Sequence, residues 1–281
     1  MRINTRSKEW SVQIDQTQDL PFTKILTHFA EIGYLFSRSS ESYLNNTYGQ
    51  DYLNLRNKGR KLCFALCDGV GQSFCGQIAA KSLGDQIVDW IWNLPVGFHE
   101  DKVLQDNVND YLNLAAVTAH EVVRTFLLPE NLPDLVRRAL ENLREYGSET
   151  VFLSGRIDFA PFNTLTPDLL TIFWLGDVQI HLYNHQGTVY QVTEKWVNSE
   201  RWSTKFGIKG TDRVNIFIGE LNNIERVIVH SDGISSLREQ LYTLSKRPET
   251  LRMGVEQLRN SPTSDDISLL TIRLRMRKRM A

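Results

Sequence analysis

The sequence lacks any apolar stretch long enough to cross a membrane. No window approaches about 18 consecutive apolar residues, and the opening segment MRINTRSKEWSVQID has no unbroken apolar region of the kind found in signal peptides. An excess of one charge is also missing, because 32 Lys and Arg residues stand against 33 Asp and Glu, a formal net charge of -1. These absences predict a cytoplasmic protein whose main partner is neither nucleic acid nor a membrane.

Cysteine is scarce, and its spacing does not fit a zinc site. The three residues Cys63, Cys67 and Cys75 form no CxxC pair and have no accompanying histidine spacing, so buried thiols are predicted. Internal repeats and low-complexity linkers are absent as well, which favours one domain over residues 1–281. Residues 1–45 carry the weakest pattern of the chain.

Two kinds of periodicity follow one another along the rest of the chain. The run KLCFALC predicts a strand, and the spacing of apolar residues then predicts a helix from Ile78 that ends near Trp92. A second helix is predicted over 104–126 and a shorter one after Pro133. From Thr150 the pattern is β-like, with a hairpin turn over 184–187.

Two further helices are predicted from ISSLREQLYTLSK and TLRMGVEQLRN, and the strand ISLLTIRLRMR follows them. This order of elements has no strict β-α-β rhythm. It favours antiparallel sheets with helices packed outside, an α+β layered fold.

Two strands end in the same dipeptide, Asp-Gly. The stretches LCFALCDGVG and RVIVHSDGIS end at Asp68 and Asp232, and a helical pattern follows each, so neither dipeptide is an ordinary hairpin turn. Asp177 closes another apolar run. Asp51 comes before the strand KLCFALC, and Asp265 comes before the last predicted strand, ISLLTIRLRMR. In an antiparallel sheet the end of one strand lies beside the start of its neighbour, so Asp68, Asp232 and Asp265 are expected to meet at one edge.

Carboxylates gathered at one edge repel one another, and no Lys or Arg lies in these motifs to offset their charge. A cluster of oxygen ligands suits a hard divalent cation such as magnesium or manganese, which keeps much of its water. Gly69 would then allow a close approach of the backbone and offer its carbonyl oxygen.

Taken in order, the motifs resemble those of the metal-dependent protein serine/threonine phosphatases of type 2C, in a bacterial version with a Gln-Asp pair. GQDYL is similar to the acidic pair of that family, CDGVGQSFCGQIAA to its Asp-Gly-x-Gly loop and helix, and YGSET to its Gly-Ser/Thr-Thr strand start. LGDVQIHLY, HSDGISSL and SDDISLLTIRL are similar to its Gly-Asp, Ser-Asp-Gly and Asp-Asn-Ile-Thr motifs. The resemblance runs from Gly49 to Arg273. It implies a four-layer α-β-β-α sandwich, two antiparallel sheets flanked by helices, with metals at one edge.

The resemblance also implies an activity, the hydrolysis of phosphoserine and phosphothreonine on proteins by a metal-activated water, opposing a serine/threonine kinase. It implies two manganese or magnesium ions and a third, more loosely held one. Asp68 and Asp232 are the implied catalytic residues. The implied metal-binding residues are Asp51, Asp68, Gly69, Asp232, Asp265, Asp177 and Gln50, with Asp68 bridging two ions and Asp177 holding the third.

Three positions depart from the family pattern. Gln50 stands where many members have Glu, Asn46 where the family often has an arginine that clamps phosphate, and Val70 where some members have a proton-donating His. Two other functions therefore stay open: an inert phosphatase-like module that binds a kinase or phosphoprotein, and a hydrolase of small phosphorylated molecules.

The remaining charged and titratable features are interpreted as structural. Histidines His181, His185 and His230 are expected to be satisfied or exposed rather than proton donors. In the tail IRLRMRKRM apolar residues alternate with arginines, which favours an edge strand or a solvated strand face. Docking of an acidic phosphoprotein on the tail is the alternative.

Overall fold

The computed structural model of the protein describes residues 2–4, 9–95, 101–161, 166–193 and 199–275. The end of the arginine-rich tail, including Met276 and Arg277, lies outside the described residues. No helix within the described ranges is both long and apolar enough to span a membrane.

Among the described residues, one sheet has seven strands and combines strands from the N-terminal and C-terminal parts of the chain. Its neighbouring strands are antiparallel, apart from the first pair, which is parallel. In spatial order the strands are β1 (Arg2–Asn4), β3 (Leu20–Leu26), β4 (Ala30–Ser37), β15 (Ile267–Leu274), β14 (Ile224–His230), β9 (Gln179–Asn184) and β10 (Val189–Gln191).

The second sheet has eight antiparallel strands. Its main path is β12 (Gly207–Lys209), β11 (Arg201–Ser203), β7 (Glu149–Asp158), β6 (Lys61–Gly69), β5 (Tyr52–Lys58) and β2 (Trp10–Gln13). Beyond its contact with β11, β7 also pairs with β8 (Leu169–Leu175), which pairs in turn with β13 (Asn215–Glu220).

Helices cover the outer faces of the two sheets. The helices are α1 (Ser40–Leu44), α2 (Gly76–Asn93), α3 (Asp101–Thr125), α4 (Asp134–Arg144), α5 (Leu241–Leu244) and α6 (Pro248–Arg259), with a 3-10 helix over Asp232–Gln240. The largest apolar cluster joins side chains of both sheets to those of α2 and α3, and a second cluster joins the seven-stranded sheet to the 3-10 helix, α5 and α6. The predicted four-layer α-β-β-α sandwich is therefore confirmed.

Close backbone packing fixes α2 on the eight-stranded sheet. Strand β6 is a continuous apolar run because it is buried on both faces, by the other sheet and by α2. A side chain at Gly84 would come within 2.6 Å of the ring of Tyr52, and one at Gly69 within 2.5 Å of the carbonyl carbon of Gly76. The helix therefore begins directly against the end of the strand that carries Asp68.

Most of the predicted elements are present, with one error of helix type. α2, α3, α4 and the hairpin of β9 and β10 are confirmed. The segment after Asp232, predicted as α-helix, is mainly a 3-10 helix, and only the four residues of α5 are α-helical. Consecutive serines, Ser235 and Ser236, disfavour an α-helix here because their hydroxyls compete for backbone groups.

The cysteines and the N-terminal segment also have clear positions. Cys63 and Cys67 are buried free thiols, as predicted, and Cys75 is half-buried. The weakly patterned N-terminal segment contributes strands to both sheets, since β2 pairs with β5 and β4 pairs with β15.

Candidate metal centre

The ends of β5 and β6 bring Asp51 and Asp68 together. The two strands are antiparallel with Tyr52 opposite Cys67, so Asp51, just before β5, lies beside the end of β6. The backbone N–H of Gly69 donates to the carbonyl of Gln50 at 3.3 Å. On the other side of β6, the Thr150 hydroxyl donates to the carbonyl of Asp68 at 2.7 Å, which fixes the strand end from both sides.

The seven-stranded sheet supplies the other three predicted acids. Strand β14 ends at His230, which lies opposite Gln179 at the start of β9. Asp232 follows His230 by two residues and Asp177 precedes Gln179 by two, so both acids lie beyond the same end of this strand pair. Asp265 precedes β15, whose start is joined to β14 by a hydrogen bond of 3.1 Å from the N–H of Ser231 to the carbonyl of Ser268. Asp177, Asp232 and Asp265 therefore lie at one end of this sheet.

The acids of the two sheets are close enough for their charges to raise one another's pKa values. Desolvation raises the pKa of Asp68 well above its usual range, and the charges of all four other acids raise it further. Desolvation, Asp265 and Asp177 raise the pKa of Asp232 to about 6. The pKa of Asp177 is also raised, first by desolvation, although Arg201 partly offsets this. The five acids thus form one cluster of like charge.

The cluster has a buried end and an exposed end. Asp51 is only 1% exposed, Asp68 and Asp177 are half-buried, and Asp232 and Asp265 are exposed. The Oδ2 atom of Asp51 is buried and has no hydrogen-bond partner among the described residues. Desolvation and the charge of Asp266 raise the pKa of Asp51 well above its usual range.

This donor set fits hard divalent cations. An orphaned buried carboxylate oxygen among like charges gains from a nearby positive charge, and the other candidate ligands are also oxygen atoms. No three His, Cys, Asp or Glu side chains of the described residues are already arranged around a single point as ligands. Water would therefore have to complete the shell of each ion, as magnesium commonly requires.

The Gln50 side chain lies against the loop that follows Asp68. A side chain at Gly71 would come within 3.3 Å of Gln50 Oε1, so the amide packs over the backbone of Gly71. Asn46 is exposed and has a left-handed backbone, with φ of 50°. Asparagine tolerates this conformation better than most residues do, which gives Asn46 a structural reason to be there.

Two residues support the site although the sequence analysis assigned them no role. Asp266 is 3% exposed, and its Oδ1 accepts from the N–H of Ser39 at 2.6 Å while its Oδ2 accepts from the N–H of Gln50. The amide of Gln16 donates to the carbonyls of Asp51 at 3.1 Å and Gln50 at 3.4 Å. Both side chains hold the Gln50–Asp51 backbone in place.

Only one signal in the sequence pointed to these supports. Asp265 and Asp266 are consecutive acids before β15, which indicates that one carboxylate faces the cluster and the other faces away from it. Asp266 could therefore have been predicted as a support of the site. Gln16 has no local signal, because its partners lie 34 and 35 residues further along the chain.

Two buried histidines lie beneath the exposed end of the cluster. His181 and His230 have their Nε2 atoms 3.2 Å apart, and His230 Nδ1 lies 2.8 Å from the carbonyl of Ser231. Since a carbonyl only accepts, His230 carries its proton on Nδ1 and accepts at Nε2 from His181. Burial lowers the pKa of His181 to about 3 and that of His230 to about 4. Both rings are satisfied and neutral, in line with the structural interpretation.

A polar cleft of about 350 Å³ opens beside the exposed end of the cluster. Asp232 and Asp265 lie on its wall, and hydroxyl groups line most of the remainder. The hydroxyl-bearing residues are Ser236, Ser261, Thr263 and Ser264.

Comparison with known proteins places this geometry in context. A family profile described as Protein phosphatase 2C matches residues 40–268. A search of curated proteins found no match.

Solved structures with a similar fold include several phosphatases. A bacterial serine phosphatase is 15% identical with a TM-score of 0.57, over 87% of this chain and 97% of that one. Serine-threonine phosphatase 2C from Toxoplasma gondii is 12% identical with a TM-score of 0.55, over 94% and 99%. RsbX, solved in complex with magnesium, is 14% identical with a TM-score of 0.53, over 90% and 100%. At these identities the likeness shows the fold alone.

Proposed function

Because this chain belongs to the protein phosphatase 2C family, we propose that it hydrolyses phosphoserine and phosphothreonine on proteins with the help of manganese or magnesium. In this role it would oppose a serine/threonine kinase. The observation that carries the proposal is Asp68, whose carboxylate lies within electrostatic reach of Asp51, Asp177, Asp232 and Asp265.

The residues that would hold the ions are those that the family motifs of the sequence imply. Asp68 lies between the buried and exposed acids and would contact two ions, with the Gly69 carbonyl beside it. Asp232 and Asp265 would hold one of these ions from the solvent side, and Asp51 would support the other, directly or through water. Asp177 would hold a third ion.

Each part of the chain then has a defined task. Bound divalent ions would supply Lewis acidity, which activates water for attack on phosphorus and offsets the charge of the phosphoryl group. Gly69 allows α2 to pack against the strand end, while Asp266 and Gln16 fix the backbone before Asp51. The cleft beside Asp232 and Asp265 is open to solvent and could admit a phosphorylated residue.

The proposal is tested with purified protein, a phosphopeptide and a chromogenic phosphate ester, each with and without manganese. We expect metal-dependent turnover that is lost in Asp68→Asn and in Asp232→Asn. Asp89→Asn is the matched control, since Asp89 forms an exposed ion pair with Arg56 on the outer surface and should retain turnover. Turnover that needs no metal, or that survives both substitutions, would contradict the proposal.

An inert phosphatase-like module that binds a kinase or phosphoprotein is the second candidate. It is favoured by the neutral Gln50 and by Asn46, which provides no cation for phosphate. Calorimetric titration with manganese separates the candidates, because an inert module should show at most one weak site and an active enzyme at least two useful ones. A set of phosphorylated metabolites in the same assay tests the third possibility, a hydrolase of small molecules.

A further inference from the structure

A chain of hydrogen bonds links the segments that carry Asp177 and Asp232. Arg238 Nη2 donates to Gln191 Oε1 at 2.7 Å, and Gln191 Nε2 donates to Gln179 Oε1 at 2.7 Å. Gln179 Nε2 then donates to the backbone carbonyl of Asp177 at 3.0 Å. Arg238 belongs to the 3-10 helix that begins at Asp232, so the chain spans from one acid-bearing segment to the other.

The chemistry of the groups fixes the direction of this chain. A guanidinium group only donates, so the oxygen of Gln191 must face Arg238 and its NH₂ group must face Gln179. The oxygen of Gln179 is then occupied as an acceptor, which leaves its NH₂ group for the carbonyl of Asp177. Neither amide can flip without placing two donors or two acceptors against each other.

The link counteracts a repulsion within the cluster. Asp177 and Asp232 carry the same charge, and Asp177 is one of the groups that raise the pKa of Asp232. Without an opposing restraint the two segments gain by moving apart. Asp177 follows Gly176, whose φ is 83°, and lies in the short connection between β8 and β9, outside the hydrogen-bonded ladder of either strand.

We propose that Gln179, Gln191 and Arg238 are positioning residues that hold Asp177 in place for the metal ion it would bind. This inference rests on the proposed function. Gln179 is buried, Gln191 is half-buried and Arg238 is exposed, so Arg238 can be replaced with little risk to folding.

The test compares Arg238→Met with Arg252→Met. Arg252 is an exposed arginine on α6 that pairs with Glu249 and Glu256, so its replacement removes the same type of group away from the hydrogen-bond chain. Manganese binding is measured by calorimetry, and the manganese dependence of ester hydrolysis is measured in parallel. For Arg238→Met we expect one ion to bind about two- to tenfold more weakly, the shift given by losing one ordinary hydrogen bond. The stability of the metal-free protein should match that of the control variant.

A cycle with Asp177→Asn separates positioning from a general structural effect. If the chain acts through Asp177, Arg238→Met should weaken manganese binding in the wild-type background and have no further effect in the Asp177→Asn background. Arg238→Lys, which keeps a donor near Gln191, should recover part of the affinity.

Each outcome bears on a specific claim. A manganese isotherm for Arg238→Met that equals that of Arg252→Met overturns the inference, and so does an equal loss with and without Asp177. In both cases metal-dependent turnover by the wild type would leave the proposed function standing. A wild-type protein that binds no manganese overturns the proposed function and this inference with it.

Discussion

Replacing Asp232 by asparagine should stabilise the metal-free protein, although the residue is a proposed metal ligand. In the folded protein desolvation and the charges of Asp265 and Asp177 raise the pKa of Asp232 to about 6, from an ordinary value of 3.8. A raised carboxyl pKa means that folding favours the protonated, uncharged group. Asparagine keeps nearly the same shape without the charge, so it removes this cost.

The size and pH dependence of the effect follow from the shift. A change from 3.8 to about 6 corresponds to about 3 kcal/mol, which screening of the exposed side chain reduces to roughly 1 to 2 kcal/mol. Below about pH 4 the carboxyl group is protonated in both states, so wild type and variant should be equally stable. As pH rises from 4 to 6 the wild type becomes less stable than the variant, because the carboxyl group ionises more readily in the unfolded state. Above about pH 7 the group is ionised in both states, and the difference in stability is constant. For a chain of 281 residues the variant should melt about 2 to 3 °C higher.

The assay is chemical and thermal unfolding of chelator-treated protein across this pH range, repeated with manganese added. Manganese should stabilise the wild type more than the variant, so the order of stability should reverse when the metal is present. Asp89→Asn is again the control, and its stability relative to wild type should show no such reversal.

Two results would refute the reasoning. One is a metal-free Asp232→Asn protein that is less stable than the wild type at pH 7.5. The other is a stability difference that does not change between pH 4 and pH 7, because the effect would then have a cause other than the titration of Asp232.

Three further predictions concern the supports of the site. Asp266→Asn should lower the free energy of unfolding by about 1 to 3 kcal/mol in urea, since one of two buried backbone N–H groups loses its acceptor; an unchanged midpoint would contradict this. Gly69→Ala should lower the melting temperature sharply, because its Cβ would lie 2.5 Å from the carbonyl carbon of Gly76, and a tolerated alanine would disprove the close packing. His181 and His230 are held neutral in the folded protein and take up protons on unfolding, so the protein should lose stability as pH falls below 6.5. His181→Gln should reduce this loss; an unaltered dependence of stability on pH below 6.5 would contradict the prediction.

The strands and helices that could be predicted have a clear pattern of burial. The apolar run before Asp68 and the helix after it change period at the Asp-Gly, and both elements are present as β6 and α2. Strands β3 and β4 were not identified, for a physical reason. β4 is buried along almost its whole length, as β6 is, but no Asp-Gly and change of period mark the end of β4, and β3 is half-buried at most positions. Neither burial pattern differs enough from that of a helix for periodicity to decide.

The residues of the candidate site could be predicted where they belong to a sequence motif. Position at strand ends was enough to bring Asp68, Asp232 and Asp265 to one region, because antiparallel neighbours place ends beside starts. Asp51 reaches this region because β5, a strand that was not predicted, runs antiparallel beside β6. The roles of these acids as ligands stay a prediction.

The different roles of Asp265 and Asp266 depend on which carboxylate turns towards the Gln50 backbone. The packing of β4 against β15 decides this. Gln16 acts through contacts between distant segments, which no local pattern encodes.

Gln50 and Asp266 are joined by one hydrogen bond, in which the buried Asp266 carries the charge and residue 50 contributes its backbone N–H. The Gln50 N–H donates to the Asp266 carboxylate, which also contributes to the raised pKa of Asp51. A carboxylate at both positions would add repulsion to a cluster that already raises its own pKa values. The hydrogen bond itself does not select glutamine, because its donor is the backbone N–H of residue 50; what a neutral side chain at position 50 avoids is this added repulsion.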